Sequence, residues 1–195
     1  VELGATAPRD TTPNSDGEIP LTHLLETALA EMLESGPVLD AEIAQTEAQR
    51  RAMWQRRELA AEITVARKPS IDTDVSLPLD CVADFLANMG PRLRALDPGA
   101  ETLEVAHLGD GNVHFTVFPS IEDADLHDLV LQSVEDEVQA FGGSFSAEHG
   151  VGLSKLPSMA RRKNPVALEV MAAIKAALDP ENRMNPGKVI PTKPR

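Results

Sequence analysis

The chain has 195 residues, 42% of them hydrophobic and 25% charged, a globular composition with enough apolar material for one sizeable core. Thirty-one acidic residues against 18 basic ones leave a formal net charge of −13, so the average surface repels phosphate backbones and anionic headgroups and argues against nucleic acid or a membrane surface as partner. The single cysteine, Cys81, excludes an intrachain disulfide and suits a reducing, cytoplasmic setting.

No apolar run approaches the roughly 18 residues that span a bilayer, and the acidic start lacks the layout of a signal peptide. The opening residues, VELGA, read as a strand entered midway, which makes a piece of a larger protein the expectation. Residues 8–20, rich in Pro, Asp, Thr and Gly, form a loop. Leu21, Leu24, Leu25, Leu29, Met32 and Leu33 then keep helical spacing up to Gly36, and a longer helical pattern runs from about Ala41 through Trp54 to Ile63. Residues 74–78, DVSLP, alternate like a strand that Pro78 stops before a helix carrying Val82, Phe85, Leu86 and Met89.

Strands at residues 103–108 and 113–118 flank Gly109-Asp110-Gly111-Asn112, where Asp-Gly signals a two-residue hairpin loop. A helix from about 123 to 141 closes on Gly142-Gly143. Residues 144–149 suggest one more strand before the Gly150-Val151-Gly152 turn, and a last helix spans 164–178 with Asn164 as N-cap and Pro165 behind it. The proline-rich tail, 179–195, is expected to cross a surface as extended chain. These elements predict an α+β fold, an antiparallel sheet with helices on one face and an extended C-terminal tail.

Chemistry concentrates at the hairpin. With Asp110-Gly111 as the loop, Leu108 opposes Val113 and His107 opposes His114 on one sheet face, with Cβ atoms about 5 Å apart. Two imidazolium charges that close repel, whereas two neutral rings can share one divalent cation at about 2.1 Å per nitrogen. For the pair alone, an ordinary polar role on the sheet face is the simpler reading. Glu148-His149 changes the balance, because two histidines and a carboxylate form a common three-ligand set with positions left open for substrate oxygens. Neighbours on a strand face opposite ways, so Glu148 and His149 are not expected to be ligands together without a bulge, and His149 is left as a base. No nucleotide-binding glycine loop is present.

Five motifs occur in order: Trp54-Gln55-Arg56-Arg57-Glu58, Asp74-Val75-Ser76-Leu77-Pro78, His107-Leu108-Gly109-Asp110-Gly111-Asn112-Val113-His114, Ser146-Ala147-Glu148-His149-Gly150-Val151-Gly152 and Asn185-Pro186-Gly187-Lys188. On these the chain resembles the C-terminal part of FAD-linked oxidases of the vanillyl-alcohol oxidase superfamily, in particular D-2-hydroxyacid dehydrogenases of the D-lactate, D-2-hydroxyglutarate and glycolate-oxidising types. The resemblance implies a ferredoxin-like cap over residues 1–178 that roofs an active site, and a tail, 179–195, that returns to an FAD domain N-terminal to the cap and absent here. It implies a divalent metal, Zn or Mn, on His107, His114 and Glu148. It also implies His149 as the general base, Arg57 and Thr116 at the substrate, and Asn185 near the flavin.

The chemistry is coherent, since a metal that binds hydroxyl and carboxylate oxygens acidifies the hydroxyl and lets a neutral imidazole act as base, while Arg offers a planar fork to a carboxylate. Without the resemblance, Arg57 reads as a solvated helix charge beside Arg56 and Asn185 as a turn residue before Pro186. Trp54 fits the cap core better than a substrate wall. Dicarboxylate-specific relatives tend to carry Lys, Asn and Thr where this chain has Asp72, Thr116 and Ala61, and a second carboxylate is poorly received beside Asp72 unless Lys68 compensates. The expectation is therefore a small 2-hydroxy acid other than 2-hydroxyglutarate, with FAD as cofactor and the electron acceptor unspecified. The chain alone would turn nothing over, and a homo-oligomer is compatible with the reading. The competing readings are a non-catalytic metal-binding α+β module and a hydrolase that uses the same ligands to activate water.

Overall fold

The computed structural model describes residues 3–36, 38–107 and 109–191, apart from the side chains of Ala60 and Ala61. Of the strand expected over residues 1–5, Val1 and Glu2 lie outside the described residues and residues 3–5 form no strand. Leu108 and the side chain of Ala61 also lie outside them, and Val113, expected opposite Leu108, pairs with Ala106. The chain divides into two compact units, Val1–Arg57 and Glu58–Arg195.

In the first unit, helix α1 (Pro20–Ser35) ends on Gly36 at φ 89°, as its spacing and punctuation predict. The pattern expected over 41–63 is instead two helices, α2 (Glu47–Glu58) and α3 (Ala60–Ala66), of which α3 belongs to the second unit. A capping box sets the later start. Thr46 Oγ1 accepts the Gln49 amide at 3.2 Å, and Gln49 Oε1 accepts the Thr46 amide at 3.0 Å. No residue of α1 or α2 is buried.

The second unit holds β1 (Ile71–Ser76), α4 (Val82–Leu96), β2 (Glu101–His107), β3 (Asn112–Phe118), α5 (Ala124–Ala140), α6 (Leu156–Arg162) and α7 (Pro165–Leu178). The strands form an antiparallel sheet in the order β1-β3-β2. Alternation sorts the side chains cleanly: Ile71, Val75, Val113, Phe115 and Val117 point one way and are sealed by Phe85, Met89 and Leu93 of α4 and by Val130, Val134 and Val138 of α5. Phe85 meets Phe115 edge-on, with ring centroids 5.5 Å apart. The other face carries Asp72, Asp74, Asn112, His114, Thr116 and His107. The α+β layer with helices on one face is thus as the sequence predicts.

The βαββα order leaves a fourth position open beside β1, as in a split βαβ unit. Residues 144–149 occupy its beginning only. Ser144 and Ser146 make isolated bridges to Ser76 and Asp74, and the chain then bends away, so the expected strand is reduced to two contacts. Glycines permit two close approaches at the end of β1: a Cβ at Gly143, just before this segment, would lie 2.3 Å from the Ser76 carbonyl oxygen, and one at Gly111 of the hairpin connection, where φ is 75°, would lie 2.0 Å from that of Leu77. Helix α6, which periodicity did not reveal, is tied to α5 by Glu135, which accepts from Ser158, Arg161 and Arg162. Helix α7 starts as expected, with Asn164 Oδ1 accepting the Val166 amide at 2.9 Å. Among the described residues no helix is long and apolar enough to cross a membrane.

Candidate metal centre

The hairpin differs from its expected register. His107 opposes Asn112, and His114 opposes Val105, so the position opposite Asn112 is taken by His107 and not by Gly109 as expected. The cause is local: Asp110 donates its amide to the His107 carbonyl at 3.3 Å and accepts the Asn112 amide on Oδ1 at 3.0 Å, closing an Asx turn that ends the ladder early. The shift is two residues in the pairing sum, and an even shift preserves the face. His107 and His114 become diagonal rather than direct neighbours, still on one side of the sheet and within reach of each other's long rings.

The imidazoles do converge. His107 Nε2 lies 3.3 Å from His114 Nε2, and Glu148 Oε1 lies 3.1 Å from His114 Nε2 and 3.7 Å from His107 Nε2. Bonds of about 2.1 Å in a tetrahedral arrangement hold donor atoms about 3.4 Å apart, so this triangle has the dimensions of a three-ligand site with an open fourth position. Glu148 reaches it because residues 147–149 form a bend and not a strand. Alternation therefore does not separate Glu148 from His149, contrary to expectation: His149 Nε2 lies 3.7 Å from Glu148 Oε1, and its ring stacks on His114 with centroids 5.1 Å apart.

A second grouping, Asp74, His114, Glu148 and His149, also has donor atoms within 4.8 Å of one another. It suits a cation less well. Asp74 Oδ2 already accepts the amides of Ala147, Glu148 and His149 at 3.3, 3.1 and 2.9 Å and the Lys155 ammonium at 3.2 Å. Asp74 Oδ1 stands on the Nδ1 side of His114, at 3.7 Å, away from the nitrogen that faces Glu148. Burial raises the carboxyl's pKa, but the His149 amide and Lys155 outweigh it and hold Asp74 below the usual carboxylate range.

Of the other expected residues, Thr116 is buried on the same sheet face and donates to Asp72 Oδ1 at 2.9 Å. Asp72 also accepts from Ser70, which Lys68 contacts at 2.7 Å, so the lysine reaches the carboxylate only through a hydroxyl. Arg57 is exposed in the last turn of α2, at the end of the first unit. Asn185 is exposed at φ 45°, and its carbonyl accepts the Lys188 amide at 3.1 Å, as a turn residue does. Asp74, Lys155 and Asn112 were missed as site residues. The signal was available for Asp74, since an ionised side chain between β-branched neighbours in a strand is buried only when partnered.

The family described as "FAD linked oxidases, C-terminal domain" matches residues 13–189. Among curated relatives, the D-2-hydroxyglutarate dehydrogenase of Stutzerimonas stutzeri (strain A1501) is 35% identical over 162 residues, covering 80% of this chain and 35% of that protein. The mitochondrial D-2-hydroxyglutarate dehydrogenases of Arabidopsis thaliana and Bos taurus are each 34% identical, over 86% and 84% of this chain and 29% and 30% of their own lengths. The chain spans about a third of the length of the curated relatives it matches.

Proposed function

Because the chain belongs to the C-terminal domain family of the FAD-linked oxidases, we propose that it is the substrate- and metal-binding cap of a flavin-dependent D-2-hydroxyacid dehydrogenase, which oxidises a 2-hydroxy acid to a 2-oxo acid. The observation that carries this reading is the triangle of His107 Nε2, His114 Nε2 and Glu148 Oε1, with the ring of His149 beside it. Those three atoms would hold a divalent cation, Zn or Mn. A cation held there would supply Lewis-acid polarisation of the substrate's hydroxyl and carboxylate oxygens, and FAD would supply the two-electron acceptor for the α-hydrogen.

The chain's own residues do the rest. His149 Nε2, on the Glu148 side of the ring, takes the hydroxyl proton, and Nδ1 lies 3.7 Å from Asp74 Oδ2, which steadies the positive charge the ring acquires. From the resemblance alone, Arg57 would offer a planar fork to the substrate carboxylate, Thr116 would serve the substrate and Asn185 would serve the flavin; the Thr116 hydroxyl is donated to Asp72 in the chain by itself. Asp72, opposite Thr116, puts a second carboxylate on the histidine-bearing face, about 7 Å along the strand from Asp74. This favours substrates with an uncharged side chain, although the named relatives are D-2-hydroxyglutarate dehydrogenases. The one thiol, Cys81, suits a cytoplasmic location.

The test is dye reduction by the FAD-loaded protein that carries this chain. A D-2-hydroxy acid should bleach the dye, and His149→Asn should lower kcat at least about 100-fold. Asp72→Asn should raise kcat/KM for D-2-hydroxyglutarate relative to D-lactate. Equal turnover in the His149 variant would defeat the proposed chemistry.

A further inference from the structure

Among the described residues only two buried side-chain atoms lack a hydrogen-bond partner, Asp74 Oδ1 and Asn112 Oδ1, and both residues belong to the sheet face that carries the histidines. Asp74 is the better defined. It is 3% exposed and lies directly opposite His114 across the β1–β3 ladder. Its two oxygens face different parts of the centre, with Oδ2 filled by the three amides of residues 147–149 and by Lys155, and Oδ1 turned to His114 Nδ1 at 3.7 Å. A buried acceptor left without a donor is unfavourable, and His114 Nδ1, the ring nitrogen that faces it, is the group placed to supply one. Which imidazole nitrogen carries the proton is set by the hydrogen bond its other nitrogen makes.

We propose that Asp74 is the positioning residue of the centre: Oδ2 fixes the bend that presents Glu148 and His149, and Oδ1 accepts Nδ1–H of His114, which leaves the Nε2 lone pair for a divalent cation. The inference rests on the metal reading for its purpose, yet not for its geometry. One carboxylate thereby locks a ligand from β3 and a ligand from a separate bend into a single register. In Asp74→Asn the side-chain carbonyl takes over the three amides, because the amide nitrogen cannot accept them. The –NH2 is then turned to His114 Nδ1 and donates to it, which moves the ring proton to Nε2, the wrong nitrogen for a ligand.

The experiment is a long-range 1H–15N spectrum of the histidine rings in the metal-free full chain near pH 8, with His114 assigned by comparison with His114→Gln, followed by a Co2+ titration read from visible absorption. The wild-type chain should show His114 protonated on Nδ1. Asp74→Asn should show it on Nε2 and bind Co2+ about 10–100-fold more weakly, with its amide spectrum still that of the folded protein. A wild-type His114 protonated on Nε2 would overturn the proposal without any variant, and so would unchanged Co2+ affinity in folded Asp74→Asn. An Nδ1–H tautomer in a wild-type chain that binds no Co2+ would instead uphold the role of Asp74 and defeat the metal reading alone.

Discussion

The two faces of one three-stranded sheet divide the labour of the second unit. Val113, Phe115 and Val117 alternate along β3 with Asn112, His114 and Thr116, so each strand supplies stability to one side and chemistry to the other. The helix-covered face is filled by the buried apolar side chains of the strands, α4 and α5. Among the described residues, the opposite face holds two buried polar atoms without partners and three donor atoms facing one another. The contrast teaches that the histidines are displayed on a platform built elsewhere, so loss of the platform and loss of the site should separate experimentally.

The largest effect is expected on the packed side. Phe115→Ala removes a ring in edge contact with Phe85 and should lower unfolding free energy by about 3–5 kcal/mol, read as a shift of the urea midpoint. Next comes a buried site on the polar side: Thr116→Val loses the bond to Asp72 and should cost about 1 kcal/mol by the same measurement, with the sheet unchanged. A pH experiment tests how β3 is fastened to α4. The amide and hydroxyl of Ser120, with the Gly99 amide, hold the Asp97 carboxyl below the usual range. Its stabilising contribution is complete above the unfolded value of about 3.9 and is lost as pH falls through the lower folded one. Asp97→Asn should therefore flatten the fall in stability between pH 5 and the acid limit, and an equally steep fall would exclude Asp97 as its source. Smallest is the exposed pair at the sheet margin: Arg67, which stands over the Phe118 ring at 4.3 Å and bridges Glu101, should cost less than about 1 kcal/mol as Arg67→Ala.

Much of this was legible in the residues. Period-two alternation and the Asp-Gly turn marked the hairpin, glycine and asparagine caps marked three helices, and the four cluster residues were named from their types and order. What escaped was decided by side-chain bonds that no periodicity records: the Thr46–Gln49 box that starts α2, the Asp110 turn that slips the register, and the Asp74 contacts that convert 147–149 from strand to bend. The slip did no harm to the functional reading because a two-residue shift keeps both rings on one face. The roles proposed for Arg57 and Asn185 rest on resemblance alone, since an arginine on a solvated helix and an asparagine in a turn carry no local mark of function.

Whether one divalent cation is shared by the two histidines and Glu148 is measured most directly as metal content after dialysis of the full chain against equal Zn2+ and Mn2+. One equivalent of cation per wild-type chain, and less than a tenth of that in the folded His107→Ala, His114→Ala double variant, is the result the geometry predicts. Equal metal in both proteins, or none in the wild type, would contradict it.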